Sequence, residues 1–141
     1  MRASILVMVA LLTVSVAPLA TVSVRAADGV RTDGKTAFRT VELKEFEQLR
    51  ADTNNVVLDV RTKKEFDAGH IPGAILIDVN GGSFEATAGK LDPKKLYLVH
   101  CAAGIRSMKA CNILSGLQFT NLVNLKAGYK GWEAAGNKPA K

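Results

Sequence analysis

Only two cysteines and two histidines stand among the 141 residues. Two cysteines cannot staple a disulfide-framework mini-protein or supply a four-cysteine zinc site. Two histidines without clustered carboxylates indicate no metal centre. Charge is not concentrated either, since the longest basic runs are the pairs Lys63-Lys64 and Lys94-Lys95. Charge scattered in this way solvates a surface and does not form a stripe for nucleic acid. With 48% hydrophobic and 23% charged residues, the composition is globular and neither disordered nor collagen-like. At about 150 residues per domain, the length points to one domain.

One long apolar run is present, and it is N-terminal. Met1-Arg2 gives a short positive start, Ile5 to Ala20 carries no charge, and small residues follow to Val24-Arg25-Ala26 and Ala27. These are the parts of a secretory signal peptide. Cleavage is expected after Ala26, with Ala27 as the alternative. Ile5–Val24 is also about long enough to span a bilayer as an uncleaved anchor. Thr13, Ser15, Pro18, Thr21 and Ser23 dilute its second half, which favours the cleaved signal. The protein is therefore expected to be exported, periplasmic or secreted, with no stable membrane association after cleavage. Loss of residues 1–26 removes Arg2 and Arg25 and no acid, leaving 17 basic against 13 acidic side chains, or +4. The remaining 115 residues can bury a core without disulfides or metals.

Residues 27–37 read as a flexible leader. Beyond them two periodicities alternate. Leu43, Phe46 and Leu49 recur at helical spacing, so a helix is predicted over 43–50. Val56 to Val60 is a short β-branched run of the kind buried on both sheet faces. Thr62 and Glu65 fit a capping box opening a short helix, with Gly69 as a left-handed stop. His70 to Gly73 is a turn and Ala74 to Ile77 a strand. Residues 80–95 form a long connection, rich in turn formers. Leu96 to Val99 is a third strand, Ser107 to Ser115 a helix ended by Gly116, Asn121 to Leu125 a fourth strand, and Tyr129 to Ala135 a last short helix. This alternation argues an α/β fold with a parallel sheet covered by helices on both faces. Ligands in such sheets sit beyond the carboxyl ends of the strands. Two segments leave strand ends there and enter helices: Asp59-Val60-Arg61 and His100-Cys101-Ala102-Ala103-Gly104-Ile105-Arg106.

The second segment carries the chemistry. A free cysteine is often only a small buried hydrophobe, and Cys111, inside the predicted helix, is read that way. Cys101 differs in its context. The small residues Ala102, Ala103 and Gly104 let backbone N–H groups turn towards a common centre before a helix N-terminus, which makes an anion cradle. Oriented amides, the helix dipole and Arg106 all favour the thiolate. A thiolate in such a cradle can attack an anionic substrate, and the cradle then holds the new charge. A Cys101–Cys111 disulfide is disfavoured, because loop plus helix separates the two beyond bridging distance. His100 precedes Cys101, but strand neighbours point to opposite faces. His70, in a turn, reads as a structural hydrogen-bonding residue.

The motifs Leu58-Asp59-Val60-Arg61, Glu65-Phe66, Gly69-His70-Ile71-Pro72-Gly73-Ala74, Cys101-x-x-Gly104-x-Arg106-Ser107, Gly128-Tyr129-x-x-Trp132 and Ala135-Gly136-x-x-Pro139 together resemble a single-domain rhodanese, a sulfurtransferase. The resemblance covers residues 38–139. It implies a single rhodanese-like domain with a mostly parallel five-stranded sheet flanked by helices on both faces. It also implies a catalytic Cys101 that cycles through a persulfide, with Cys101 to Arg106 wrapping the transferred sulfur. Substrate-binding residues carried over on this basis are Ala102, Ala103, Gly104, Ile105 and Arg106, the last attracting an anionic donor. Asp59 and Arg61 carry a structural role in the family. Ala127 stands where the family has the first of a glycine pair. Partners are then a small anionic sulfur donor such as thiosulfate and a cyanide or thiol acceptor, with no cofactor, no metal and no nucleic acid.

The loop also resembles the cysteine phosphatase signature, in which five residues separate Cys from Arg. Here four do, and a phosphoryl group needs a wider ring of amides than one sulfur atom. Sulfur chemistry is therefore preferred to a Cys-dependent phosphatase. The other alternative is a non-catalytic rhodanese-like binding or sulfur-carrier module, against which Cys101 itself speaks.

Overall fold

A computed structural model describes residues 38–141. The export segment and leader expected over 1–37 lie outside the described residues. The elements run β1 (Phe38–Val41), α1 (Leu43–Arg50), β2 (Val56–Asp59), α2 (Lys63–Ala68), β3 (Ile75–Leu76), α3 (Phe84–Ala88), β4 (Tyr97–His100), α4 (Ile105–Gly116), β5 (Leu122–Leu125) and α5 (Gly128–Ala134). The five strands form one sheet in the order β1-β5-β4-β2-β3. Every pairing among them is parallel, where the resemblance implied a mostly parallel sheet.

The central strands are apolar because both faces are covered. Alternation sends Leu58, Val60, Tyr97, Val99 and Leu122 into one core with Phe84 and Ala88 of α3 and Ala110, Cys111 and Leu114 of α4. It sends Val57, Leu98, Val123 and Leu125 into a second core with Phe46 of α1, Ile71, and Tyr129 and Trp132 of α5. Each fully buried Leu or Phe side chain contributes about 1.5–3 kcal/mol. Trp132, 1% exposed, donates its ring N–H to Glu47 at 2.9 Å and so ties α5 to α1.

Two elements escape the apolar pattern. Strand β1 carries Arg39 and Thr40 at the sheet edge, so it shows no apolar run. Helix α3 lies within the expected connection over 80–95, folded around buried Phe84 and Ala88. The capping box forms as expected: Thr62 Oγ1 accepts from the Glu65 N–H at 3.3 Å, and Glu65 accepts from the Thr62 N–H at 3.0 Å. Gly69 is not the left-handed stop expected of it. Its backbone is extended (φ 164°, ψ 138°). Lack of space explains the glycine, because a Cβ there would lie 2.6 Å from the Tyr129 hydroxyl oxygen. Among the described residues, no helix is long and apolar enough to cross a membrane.

Candidate active site

Strand β4 ends at His100 and α4 starts at Ile105, so Cys101 to Gly104 make the whole turn between them. Two glycines let this turn pack against the next strand end. Gly104 adopts φ +87°, and a Cβ on it would sit 2.4 Å from the Lys126 carbonyl oxygen. Gly128 adopts φ +61°, and a Cβ on it would sit 2.5 Å from the Ala102 carbonyl. L-residues with side chains avoid such φ values, so each glycine is required twice over. The close approach lets the start of α5 hold the loop: the Tyr129 N–H donates to Cys101 O at 2.7 Å and the Lys130 N–H to Ala102 O at 3.1 Å.

With their carbonyls drawn outward to α5, the loop peptides leave their N–H groups facing the sulfur. Gly104 N–H donates to Cys101 Sγ at 3.2 Å, and the Ser107 hydroxyl stands 3.5 Å from it. The backbone dipoles of Ala103 and Ser107 also favour charge on the sulfur. Burial pushes the Cys101 thiol pKa up, but the Ser107 hydroxyl and these amides outweigh it and hold the pKa below the ordinary value. That favours the thiolate, the nucleophilic form. Cys111 shows the contrast. Burial among apolar side chains pushes its pKa up to about 12, so it stays a neutral thiol in the core. Both cysteines are free.

Of the remaining loop residues, Ala102 is half-buried, Ala103 is exposed, and Ile105 is 73% exposed above a cysteine that is only 1% exposed. Arg106 does not stand alone. Its two terminal nitrogens fork onto the Glu65 carboxylate at 2.9 and 2.7 Å. Hydrogen bonding from Arg106 holds the Glu65 pKa down to about 2, so the pair is charged but locally neutral in sum at all ordinary pH values. The capping residue of α2 thus reaches the first turn of α4.

His100 lies on the other face of the sheet from Cys101. Its ring packs edge-on against Phe46 and near Tyr129, and its Nδ1 faces the Cys101 carbonyl at 3.3 Å, not the sulfur. Burial pushes its pKa down, opposed only in part by the Asp59 carboxylate 3.7 Å away. Asp59 and Arg61 form a buried ion pair at 2.6 Å. Arg61 also donates to Gly69 O at 2.8 Å and lies 4.0 Å over the Tyr129 ring, which fastens the end of β2 to the turn after α2 and to α5. His70 stacks on Phe66 and exchanges backbone hydrogen bonds with Ala140.

Three contributors carry no role at the sulfur in the sequence reading: Ser107 stands in a motif and at a helix start, Glu65 in a motif and a capping box, and Asn124 in a strand. Asn124 carried a signal: a polar amide inside the run Leu122-Val123-Asn124-Leu125 must find a partner if the strand is buried. It accepts from the Ser107 hydroxyl at 2.6 Å.

The family model for the rhodanese-like domain matches residues 42–135. The chain belongs to the rhodanese-like family. It is 34% identical over 87 residues to the putative sulfurtransferase YtwF of Bacillus subtilis, covering 62% of this chain and 82% of that one. It is 25% identical over 100 residues to the thiosulfate sulfurtransferase GlpE of Shewanella oneidensis, covering 71% and 97% respectively. The human single-domain sulfurtransferase TSTD1 superposes with a TM-score of 0.59 at 27% identity, covering 67% of this chain and 95% of that one. This rhodanese-like domain therefore has sulfurtransferase relatives along most of its length.

The clamp by α5 can be tested directly. Gly128→Ala drives a Cβ into the Ala102 peptide and should open the loop. The expected result is an alkylation midpoint of Cys101 with iodoacetamide raised by about one pH unit, a roughly tenfold slower reaction at any pH below the wild-type midpoint, as the thiolate loses its donors. Gly136→Ala, at a positive-φ position with open space around it, serves as control and should leave that rate unchanged.

Proposed function

We propose that this protein is a sulfurtransferase that takes sulfane sulfur from a small anionic donor such as thiosulfate, holds it as a Cys101 persulfide, and passes it to cyanide or a thiol. The single observation that carries this reading is the convergence of the Gly104 N–H and the Ser107 hydroxyl on one buried cysteine sulfur at the carboxyl end of β4. Similarity to the sulfurtransferases YtwF, GlpE and TSTD1 supports the same class of reaction.

In the first half-reaction the Cys101 thiolate attacks the outer sulfur of the donor. A new S–S bond forms, the donor's S–S bond breaks, and sulfite leaves with the electron pair. In the second, the acceptor nucleophile attacks the outer sulfur of the persulfide, and the Cys101 thiolate is released. Both steps place negative charge on sulfur inside the cradle, where preorganised N–H groups stabilise it. The tight four-residue span from Cys101 to Arg106 suits one added sulfur atom better than a phosphoryl group. An expected export segment over residues 1–26 supports a site of action outside the cytosol, periplasmic or secreted.

Cys101→Ser replaces the nucleophile by a nearly isosteric hydroxyl. It is expected to abolish thiocyanate formation from thiosulfate and cyanide with an unchanged melting temperature. Cys111→Ser should keep most of the activity. Equal loss in both variants would replace this scheme by one in which the two thiols act together.

The Arg106–Glu65 pair makes a second prediction. Arg106 bears on an anionic donor only as far as Glu65 leaves its charge uncancelled. Glu65→Gln keeps the capping hydrogen bonds and unpairs Arg106. At low salt it should raise kcat/KM for thiosulfate by about 1.4- to 5-fold, in line with the 0.2–1 kcal/mol of a solvent-screened pair. An unchanged or lower value would remove Arg106 from donor binding.

A further inference from the structure

Asn124 is 1% exposed at the centre of β5. Strand alternation puts it on the face that holds Leu122, α4 and Cys101, opposite Val123 and Leu125. The parallel register sets it beside Thr40 of β1 on one side and Val99 of β4 on the other. Its Oδ1 accepts from Ser107 Oγ at 2.6 Å, and its Nδ2 donates to Thr40 Oγ1 at 3.3 Å. Ser107, itself fully buried, stands 3.5 Å from Cys101 Sγ. A continuous polar chain therefore runs Thr40–Asn124–Ser107–Cys101 through an otherwise apolar core.

The Ser107 hydroxyl has one hydrogen to give. In the arrangement described it points at Asn124, and the sulfur is its more distant neighbour. That suits a neutral thiol, whose own hydrogen can point at Ser107 Oγ. A charged sulfur needs the Ser107 hydrogen for itself. An amide can serve both states, because one end accepts and the other donates. A half-turn about the Asn124 Cβ–Cγ bond exchanges them: Thr40 then donates to Oδ1, Nδ2 donates to Ser107 Oγ, and Ser107 donates to Sγ. The number of hydrogen bonds is kept, and only the thiol proton, given up to solvent as the sulfur becomes charged, leaves its heavy atom. Only the direction of the chain reverses.

We propose that Asn124 is a positioning residue whose reversible amide, anchored on Thr40, aims the Ser107 hydroxyl hydrogen at Cys101 Sγ whenever that sulfur carries charge. For its place in sulfur transfer this rests on the function proposed above; the control of the thiol itself does not. The other ionisable groups that bear on Cys101 are Arg106 and Cys111, both from α4. Tyr97 of β4 shares the same core, while His100, Asp59 and Arg61 lie across the sheet.

The test is the pH dependence of Cys101 alkylation by iodoacetamide, read by peptide mass on the full chain with no sulfur donor present. Asn124→Asp can only accept and adds charge, so it keeps the Ser107 hydrogen away from the sulfur. It should move the alkylation midpoint up by about one pH unit, a roughly tenfold lower rate at any pH below the wild-type midpoint. Ser107→Ala should move it the same way. Thr40→Val, at an exposed edge position, removes the anchor without disturbing the core and should give a smaller upward shift. A residue that merely filled space would lower the melting temperature and leave the midpoint in place. Midpoints unmoved in Ser107→Ala and Thr40→Val overturn the proposal even if Asn124→Asp fails to fold. Unmoved midpoints beside normal thiocyanate production would sink the polar chain alone. Shifted midpoints in a protein that makes no thiocyanate would support the chain and sink the sulfurtransferase reading.

Discussion

The site depends on the hold that the first turn of α5 has on the Cys101 loop. Peptide groups have two polar ends, and fixing one end aims the other. Because Tyr129 and Lys130 N–H groups take the carbonyls of Cys101 and Ala102, the N–H groups that follow are left to face the sulfur. The two glycines that permit the contact, Gly104 and Gly128, lie on opposite sides of it and press on each other's segments. Without that approach a buried cysteine at a strand end would be what Cys111 is, a neutral thiol whose pKa burial has raised.

The sheet divides the polar groups into two sets with different work. On the α4 face, Ser107 and Asn124 bear on the sulfur. On the α5 face, Asp59, Arg61 and His100 stay buried around Tyr129 and hold the ends of β2 and β4. A buried ion pair is weak evidence for stability in itself. Here it links β2, the Gly69 turn and α5, the helix that clamps the loop. The structural network on one face thus supports the reactive sulfur on the other, although His100 and Cys101 are adjacent in the chain.

Much of this was legible in the sequence wherever local chemistry decides the structure. The runs forming β2, β4 and β5 are apolar because both faces are covered, and the Thr62–Glu65 box needs only four residues to form. The Cys101 loop was legible for the same reason: small residues between a strand and a helix leave the backbone in command. Edge strand β1 was hidden because Arg39 and Thr40 face solvent in part. Helix α3 was hidden because five residues are too few to show a period. The Gly69 conformation depends on Tyr129, sixty residues further on, and no local rule contains it. Arg106 finds Glu65 across 41 residues and Ser107 finds Asn124 across 17. Such partners belong to the packing of the sheet, and motif spacing reports only one member of each pair.

The central claim is that the cradled sulfur of Cys101 accepts and holds a second sulfur atom. Intact-mass and peptide-mass measurement after brief incubation with thiosulfate tests it most directly. The account predicts an adduct of about 32 Da on the Cys101 peptide that cyanide removes, which separates a persulfide from the sulfinic acid of equal nominal mass. An unmodified Cys101 after exposure to thiosulfate, or an adduct confined to Cys111, would contradict it.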